Sequence, residues 1–217
     1  MKKGTLSVSK RYSLIVLLSL FLLGLGAVLT RSRKMTPESH FEKATILMEK
    51  NRLDEALSHF ILATKSDYRS IKLMSFYHLA RLYQKGTPKL PVNMKKAVYY
   101  YEQAAAMKLP IAQYQLALLY DVGDKIPEDR KKAIDLMLQA AETLPEAKYA
   151  LAVWIERGYL GKTNQAWAVA LYEQAANAGI KNAMRSLISI YHSGYGHFPE
   201  NIRREQHWRS RLEDKKK

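Results

Sequence analysis

Three stretches of the sequence have residue types that could do chemistry. Residues 101–105 read Tyr-Glu-Gln-Ala-Ala, and residues 172–176 read the same. A catalytic motif is needed once, and the partial echo at residues 137–141, Met-Leu-Gln-Ala-Ala, has no chemical use. Residues 158–163, Gly-Tyr-Leu-Gly-Lys-Thr, end like a phosphate-binding loop, whose backbone amides and lysine cradle phosphates. The first glycine of such a loop would fall at Glu156, however, and the segment follows a helical pattern rather than a strand. Asp121, Asp124, Glu128 and Asp129 form an acidic cluster without the alternating register of a calcium loop.

The six histidines, His40, His59, His78, His192, His197 and His207, show no metal-ligand spacing. The chain has no cysteine, which removes disulfides, thiolate metal sites and cysteine nucleophiles. No acid and base are singled out as a catalytic pair. The expectation is a protein without enzymatic activity, cofactor or metal, with an envelope hydrolase built on paired carboxylates as an open alternative.

The elements that carry these residues recur with a period. Leu79-Ala80, Leu116-Ala117, Leu151-Ala152 and Leu187-Ile188 are followed four residues later by Tyr83, Tyr120, Ile155 and Tyr191, then by Gly86, Gly123, Gly158 and Gly194. The pattern is a helix with an apolar stripe that stops at a glycine able to take a left-handed conformation. Next come Asn93, Asp129, Asn164 and Asn201, three of them two residues after a proline. These are N-caps, since Asn and Asp accept hydrogen bonds from the free amides of a first turn.

Each cap opens a second, alanine-rich helix: 97–106, 133–141 and 168–178. The fourth copy, 203–212, is charged instead. Upstream, residues 41–64 follow the same scheme, with Asn51 in the glycine's place and Ala56, Phe60 and Ala63 as the inner stripe. A 35- to 37-residue repeat of two antiparallel helices predicts an α-solenoid, each pair burying its apolar face on the next.

The joint pattern Leu-Ala-x-x-Tyr-x-x-Gly, a loop with Asn or Asp, and Ala-x-x-Tyr-Tyr-x-x-Ala-Ala resembles the Sel1-like repeat, a relative of the tetratricopeptide repeat. Leu79–Ala105 and Leu116–Ala141 fit it well. Leu151–Ala176 fits with Ile155 in the tyrosine position, the last copy fits in its first helix only, and residues 41–64 are closer to a plain tetratricopeptide repeat. The resemblance implies an all-α fold: a right-handed α-solenoid of about five antiparallel helix pairs that acts as a scaffold for protein–protein contacts. It also implies that first-helix residues two before each Leu-Ala pair, and those one turn later, look into a partner-binding groove. Those residues are Tyr77, Tyr114 and Tyr149, with Arg81, Leu118 and Val153. Tyrosine suits such a groove because it combines a large rigid face with one hydroxyl. The alternative is that the rings only pack between neighbouring pairs.

Residues 12–30 carry no charge, and twelve of the nineteen are Leu, Ile, Val or Phe. Basic residues flank them on both sides. At ~1.5 Å per residue a helix of this length reaches about 28 Å, close to the hydrocarbon thickness of a bilayer. Insertion is favoured by about 4 to 7 kcal/mol from those twelve side chains. The run extends beyond the small residues Gly24 and Gly26, so a retained signal anchor fits better than a signal cleaved near Gly26. Four basic residues before the span and three after it favour sending the repeat domain across the membrane.

The expected organisation is therefore a basic N-terminus and transmembrane helix in 1–34 (span 12–30), a tetratricopeptide-like pair in 38–70, Sel1-like repeats in 71–200, and a basic capping helix and tail in 201–217. The net charge of +15 comes largely from the two ends. Residues 35–200 hold 21 basic and 17 acidic residues, which argues against a nucleic-acid surface. The expected location is a bacterial inner membrane with the repeats in the periplasm, or the periplasm or exterior if the signal is removed. Expected partners are the membrane and other proteins, without a small-molecule substrate.

Overall fold

Proline or an Asn or Asp cap opens most of the helices, and positive-φ residues close most of the first helices. In the computed structural model, which describes residues 34–123, 126–161, 164–196 and 198–214, ten helices follow one another. They are α1 (Pro37–Glu49), α2 (Leu53–Ala63), α3 (Arg69–Lys85), α4 (Met94–Ala106), α5 (Pro110–Val122), α6 (Arg130–Ala141), α7 (Pro145–Glu156), α8 (Gln165–Asn177), α9 (Lys181–Ser193) and α10 (Ile202–Asp214). The described residues hold no strand, only an isolated bridge between Tyr195 and Phe198. The expected membrane span at 12–30 lies outside the described residues. No described helix is long and apolar enough to cross a bilayer.

All four expected N-caps are formed. Asn93, Asp129, Asn164 and Asn201 accept hydrogen bonds from the amides of Lys96 (3.0 Å), Lys132 (2.9 Å), Trp167 (3.0 Å) and Arg204 (3.1 Å). Gly123 ends α5 in the left-handed conformation, with its amide hydrogen-bonded to the Leu119 carbonyl, and a Cβ there would meet the Glu128 side chain at 2.9 Å. Asn51 takes the same role after α1 with a φ of 55°, which asparagine tolerates better than most side chains.

Residues 37–217 form one unit, in which each helix packs chiefly on the helices before and after it. The core is consequently divided along the row into three apolar clusters. Phe60, Tyr101, Met137 and Tyr172 hold one repeat position on the second helices and are fully buried. Ala97, Ala104, Ala133, Ala140, Ala168 and Ala175 beside them are also fully buried and let the helices approach closely. Truncating one of the large buried side chains to alanine costs about 2 to 5 kcal/mol.

Each residue of the repeated pentapeptide has a structural task. Its tyrosine holds its own pair together: the Tyr101 hydroxyl donates to Gln84 Oε1 (2.8 Å), and that of Tyr172 donates to Glu156. Its glutamate reaches the next pair. Glu102 accepts from the Tyr120 hydroxyl (2.9 Å) and from Lys132 Nζ (2.7 Å), and Lys132 also donates to Tyr120 and lies over its ring at 4.5 Å. Glu173 accepts from Tyr191 (2.9 Å) and Arg204 (3.2 Å), with Arg204 also donating to the Tyr191 oxygen (2.7 Å). Partial burial pushes the Glu102 carboxyl up, but the hydrogen bonds from Lys132 and Tyr120 and the lysine charge outweigh it and hold the group below its usual range. The glutamine of the second copy accepts from Lys148 (2.8 Å), and the alanine pairs are buried.

The imperfect copy lacks all three members of the inter-pair set together. Leu138, Ile155 and Trp167 stand where the other copies have Glu, Tyr and Lys or Arg, and Leu138 packs against the apolar cluster that contains Ile155. Polar and apolar versions are each self-consistent. The change Leu138→Glu alone is expected to lower stability by about 1 to 3 kcal/mol, the cost of a carboxylate without its partners. Adding Ile155→Tyr and Trp167→Lys should restore most of that loss in urea unfolding followed by circular dichroism. A triple variant no more stable than the single one would show that the three positions do not act as a set.

Candidate functional site

The expected groove residues lie on α3, α5 and α7. Tyr77, Tyr114 and Tyr149 are each half-buried, Leu118 and Val153 are half-buried against the apolar core, and Arg81 is exposed. The rings have packing partners as well as open faces. Tyr77 lies 6.1 Å from the Tyr101 ring, and Tyr149 lies 5.8 Å from Tyr172. Burial, with the charges of Glu146 and Tyr149 nearby, raises the Tyr114 hydroxyl above the ordinary tyrosine value, so it stays a hydrogen-bond donor.

Tyr77, Arg81 and Leu118 open into two adjoining clefts. Tyr77 and Arg81 help line one of about 530 Å³, and Leu118 helps line the other, of about 370 Å³. Tyr114, Tyr149 and Val153 belong to neither. The Arg81 guanidinium lies over the Tyr77 ring, 5.7 Å from its centre.

Gly158 and Asp129 have structural roles, and Asp124 and His197 lie outside the described residues. Gly158 follows α7 with a φ of 75°, its carbonyl accepts from the Gly161 amide (3.0 Å), and Asn164 caps the helix that follows. Lys162 and Thr163 lie outside the described residues. Asp129 is a cap, and Asp121 is raised by burial, with Arg130, Glu128 and Arg157 around it. The described residues contain no group of three or more side chains suited to a metal ion. The basic C-terminal helix uses three of its arginines internally: Arg204 holds Glu173 and Tyr191, Arg209 holds the buried Glu205 (2.7 Å), and Arg211 covers the buried Trp208 at 5.1 Å.

Three of the histidines sit on the adjoining helices α1, α2 and α3: His40 meets His59, and His78 packs on Phe41 and Phe60, their neighbours in sequence. His40 and His59 face each other with their Nδ1 atoms 2.7 Å apart, so one must donate and the other accept. His78 stacks on Phe60 at 4.8 Å, and its Nδ1 is buried without a partner. The spacing of nineteen residues between His40, His59 and His78 was the available signal.

With the geometry described, relatives can be compared. The Sel1 repeat family pattern matches residues 77–109, 110–142 and 145–180. The three matched units fall on the pairs α3–α4, α5–α6 and α7–α8, and the outer pairs α1–α2 and α9–α10 flank the Sel1 segment. Over 114 residues the chain is 31% identical to the chitin synthase regulator SKT5 of Saccharomyces cerevisiae, covering 51% of this chain and 16% of that protein. Its fold is similar to the crystal structure of a Sel1 repeat protein from Oxalobacter formigenes, with a TM-score of 0.72 and 21% identity over 84% of this chain and 52% of the other. It is also similar to c5321, a protective antigen of uropathogenic Escherichia coli with an SLR fold (TM-score 0.61, 19% identity, 85% and 47% covered). The chain thus spans about half of these structures and a small part of the yeast protein, and the structural likeness shows a shared fold.

The histidine joint beside the Sel1 segment gives stability a pH dependence. Burial, reinforced by the Arg81 charge, lowers the His78 pKa from 6.5 to about 4. Burial and the charges of Lys43 and His40 lower His59 as well. The unfolded chain therefore takes up protons first as pH falls. His78's contribution is complete above the unfolded value near 6.5 and is lost progressively as pH falls towards 4, by at most about 2 to 3 kcal/mol. Urea unfolding at a series of pH values should show this slope, and His78→Phe should flatten it.

Proposed function

We propose that the protein is a membrane-anchored helical-repeat scaffold that holds other proteins in the bacterial cell envelope. The observation that carries this reading is the face formed by α3, α5 and α7. There, aromatic side chains are fixed from behind by the stack, and clefts open between the helices. Rigid, partly exposed aromatic rings are the side chains on which interfaces concentrate binding energy.

The Sel1 repeats support a role in protein–protein contact, and the yeast relative's description as a regulator fits a protein that acts by holding others. The uncharged stretch 12–30 supports anchoring, with the repeats carried across the inner membrane into the periplasm. The small residues Gly24 and Gly26 favour a second reading, in which cleavage releases a periplasmic or secreted binding protein.

Pull-down from membranes in mild detergent tests the groove. Replacing Tyr114 and Tyr149 by alanine is expected to abolish partner capture while the helical circular dichroism persists. Loss of the helical signal would instead assign the rings to packing alone. For the anchor, the protein should stay in the membrane pellet after alkaline carbonate extraction and should retain its residues before Tyr12. A mature N-terminus near Gly26 would establish the released form.

A further inference from the structure

We infer that the α3–α5 end of this face is a two-part recognition site for an extended protein segment in which a carboxylate lies within a few residues of a large aliphatic side chain. The inference rests on the scaffold reading above and names what the scaffold holds there.

The two clefts share Gln84 and Gln115, so they adjoin, and among the described residues no carboxylate lines either one. Their chemistry differs. The larger presents Arg81, Lys85, Gln84 and Gln115 beside Tyr77. Arg81 and Lys85 are exposed, and among the described residues neither makes an ion pair. Gln84 already uses its oxygen on the Tyr101 hydroxyl, which leaves its NH₂ group to donate. A basic residue in the last turn of a helix is favoured by the helix dipole, which accounts for Lys85. It does not account for Arg81, one turn earlier and held over an aromatic ring. Two cations and free amide donors without an acid form an environment complementary to a carboxylate, and bonds to charged groups of this kind are the stronger ones.

The smaller cleft presents Leu118, Leu119, Val122, Ile126 and Met94. Val122 is 69% exposed at the repeat position that Lys85 and Arg157 hold in the flanking pairs. An aliphatic side chain has thus replaced a cation where solvent would favour the cation, next to a cleft lined by other aliphatic groups. Arg81 and Leu118 hold equivalent positions on successive first helices. α3 and α5 both pack on α4, and the clefts beside them share Gln84 and Gln115, so at about 3.3 Å per residue one extended strand can reach both parts within a few residues.

The test is selection of random decapeptides displayed on phage against the full-length protein in detergent micelles. Expected binders carry Asp or Glu within a few residues of Leu, Ile or Met. A synthetic peptide of that consensus should lose about tenfold or more in affinity, by fluorescence anisotropy, on Arg81→Gln or on Val122→Asp. Both changes are at exposed positions, and circular dichroism should be unchanged. Peptides without an acid, or peptides insensitive to both changes but lost with the tyrosine double variant, would overturn this site and leave the scaffold reading standing. Failure to select any peptide while the membrane pull-down still captures a partner would also overturn it. Failure of both would overturn the scaffold reading itself.

Discussion

One helix pair has too little apolar face to fold alone, so every pair in this chain must bury its stripe on its neighbours. That dependence explains why the core runs as three clusters along the row instead of gathering at a centre. It also decides which residues repeat. Phe60, Tyr101, Met137 and Tyr172 all meet the same requirement of a large buried side chain flanked by alanines, and their chemical differences matter less than their volume. The row must also end. At α10 the position held by Ala97, Ala133 and Ala168 passes to Glu205, whose carboxylate is satisfied by Arg209 and His192, while Trp208 supplies the apolar contact. The last helix can therefore face solvent on one side and the stack on the other.

The boundaries of the helices were legible because their determinants are local. A cap needs one side chain and an amide three residues on, and a left-handed turn needs glycine or a residue that tolerates its place, as Asn51 does. The pairing of Glu102 with Tyr120 and Lys132 was not legible in the same way, because it joins three helices across 18 and 30 residues. Its only trace in one sequence is joint replacement, seen in Leu138, Ile155 and Trp167. The histidine joint was missed for a similar reason: equal spacing has no meaning until hairpin lengths bring those residues to one junction.

Of the candidate groove, the register alone was legible: Tyr77, Tyr114 and Tyr149 hold equivalent positions on α3, α5 and α7, and all three are half-buried. A periodic pattern gives equivalent positions, however, and the neighbours of those positions are not equivalent. Tyr77 and Tyr149 each have a tyrosine of the second helix behind them, whereas Met137 stands at that place in the α5–α6 pair. Arg81, Leu118 and Val153 share a register, yet only the first two border clefts.

The same architecture bears on the kind of work such a face can do. Catalysis needs several groups held within a few tenths of an ångström around one reacting atom, which favours elements that converge. Successive first helices in a stack do not converge: each packs on the second helix between them, and they present equivalent positions side by side. Groups spaced in that way match a ligand that is itself a linear repeat of side chains at a few ångströms per residue. An extended polypeptide has that geometry, and a stack can read a longer one by adding pairs without redesigning any pair. The difference between an acid-seeking cleft at α3 and an aliphatic one at α5 is what such reading requires, since neighbouring positions must prefer different side chains for the order of a bound segment to matter.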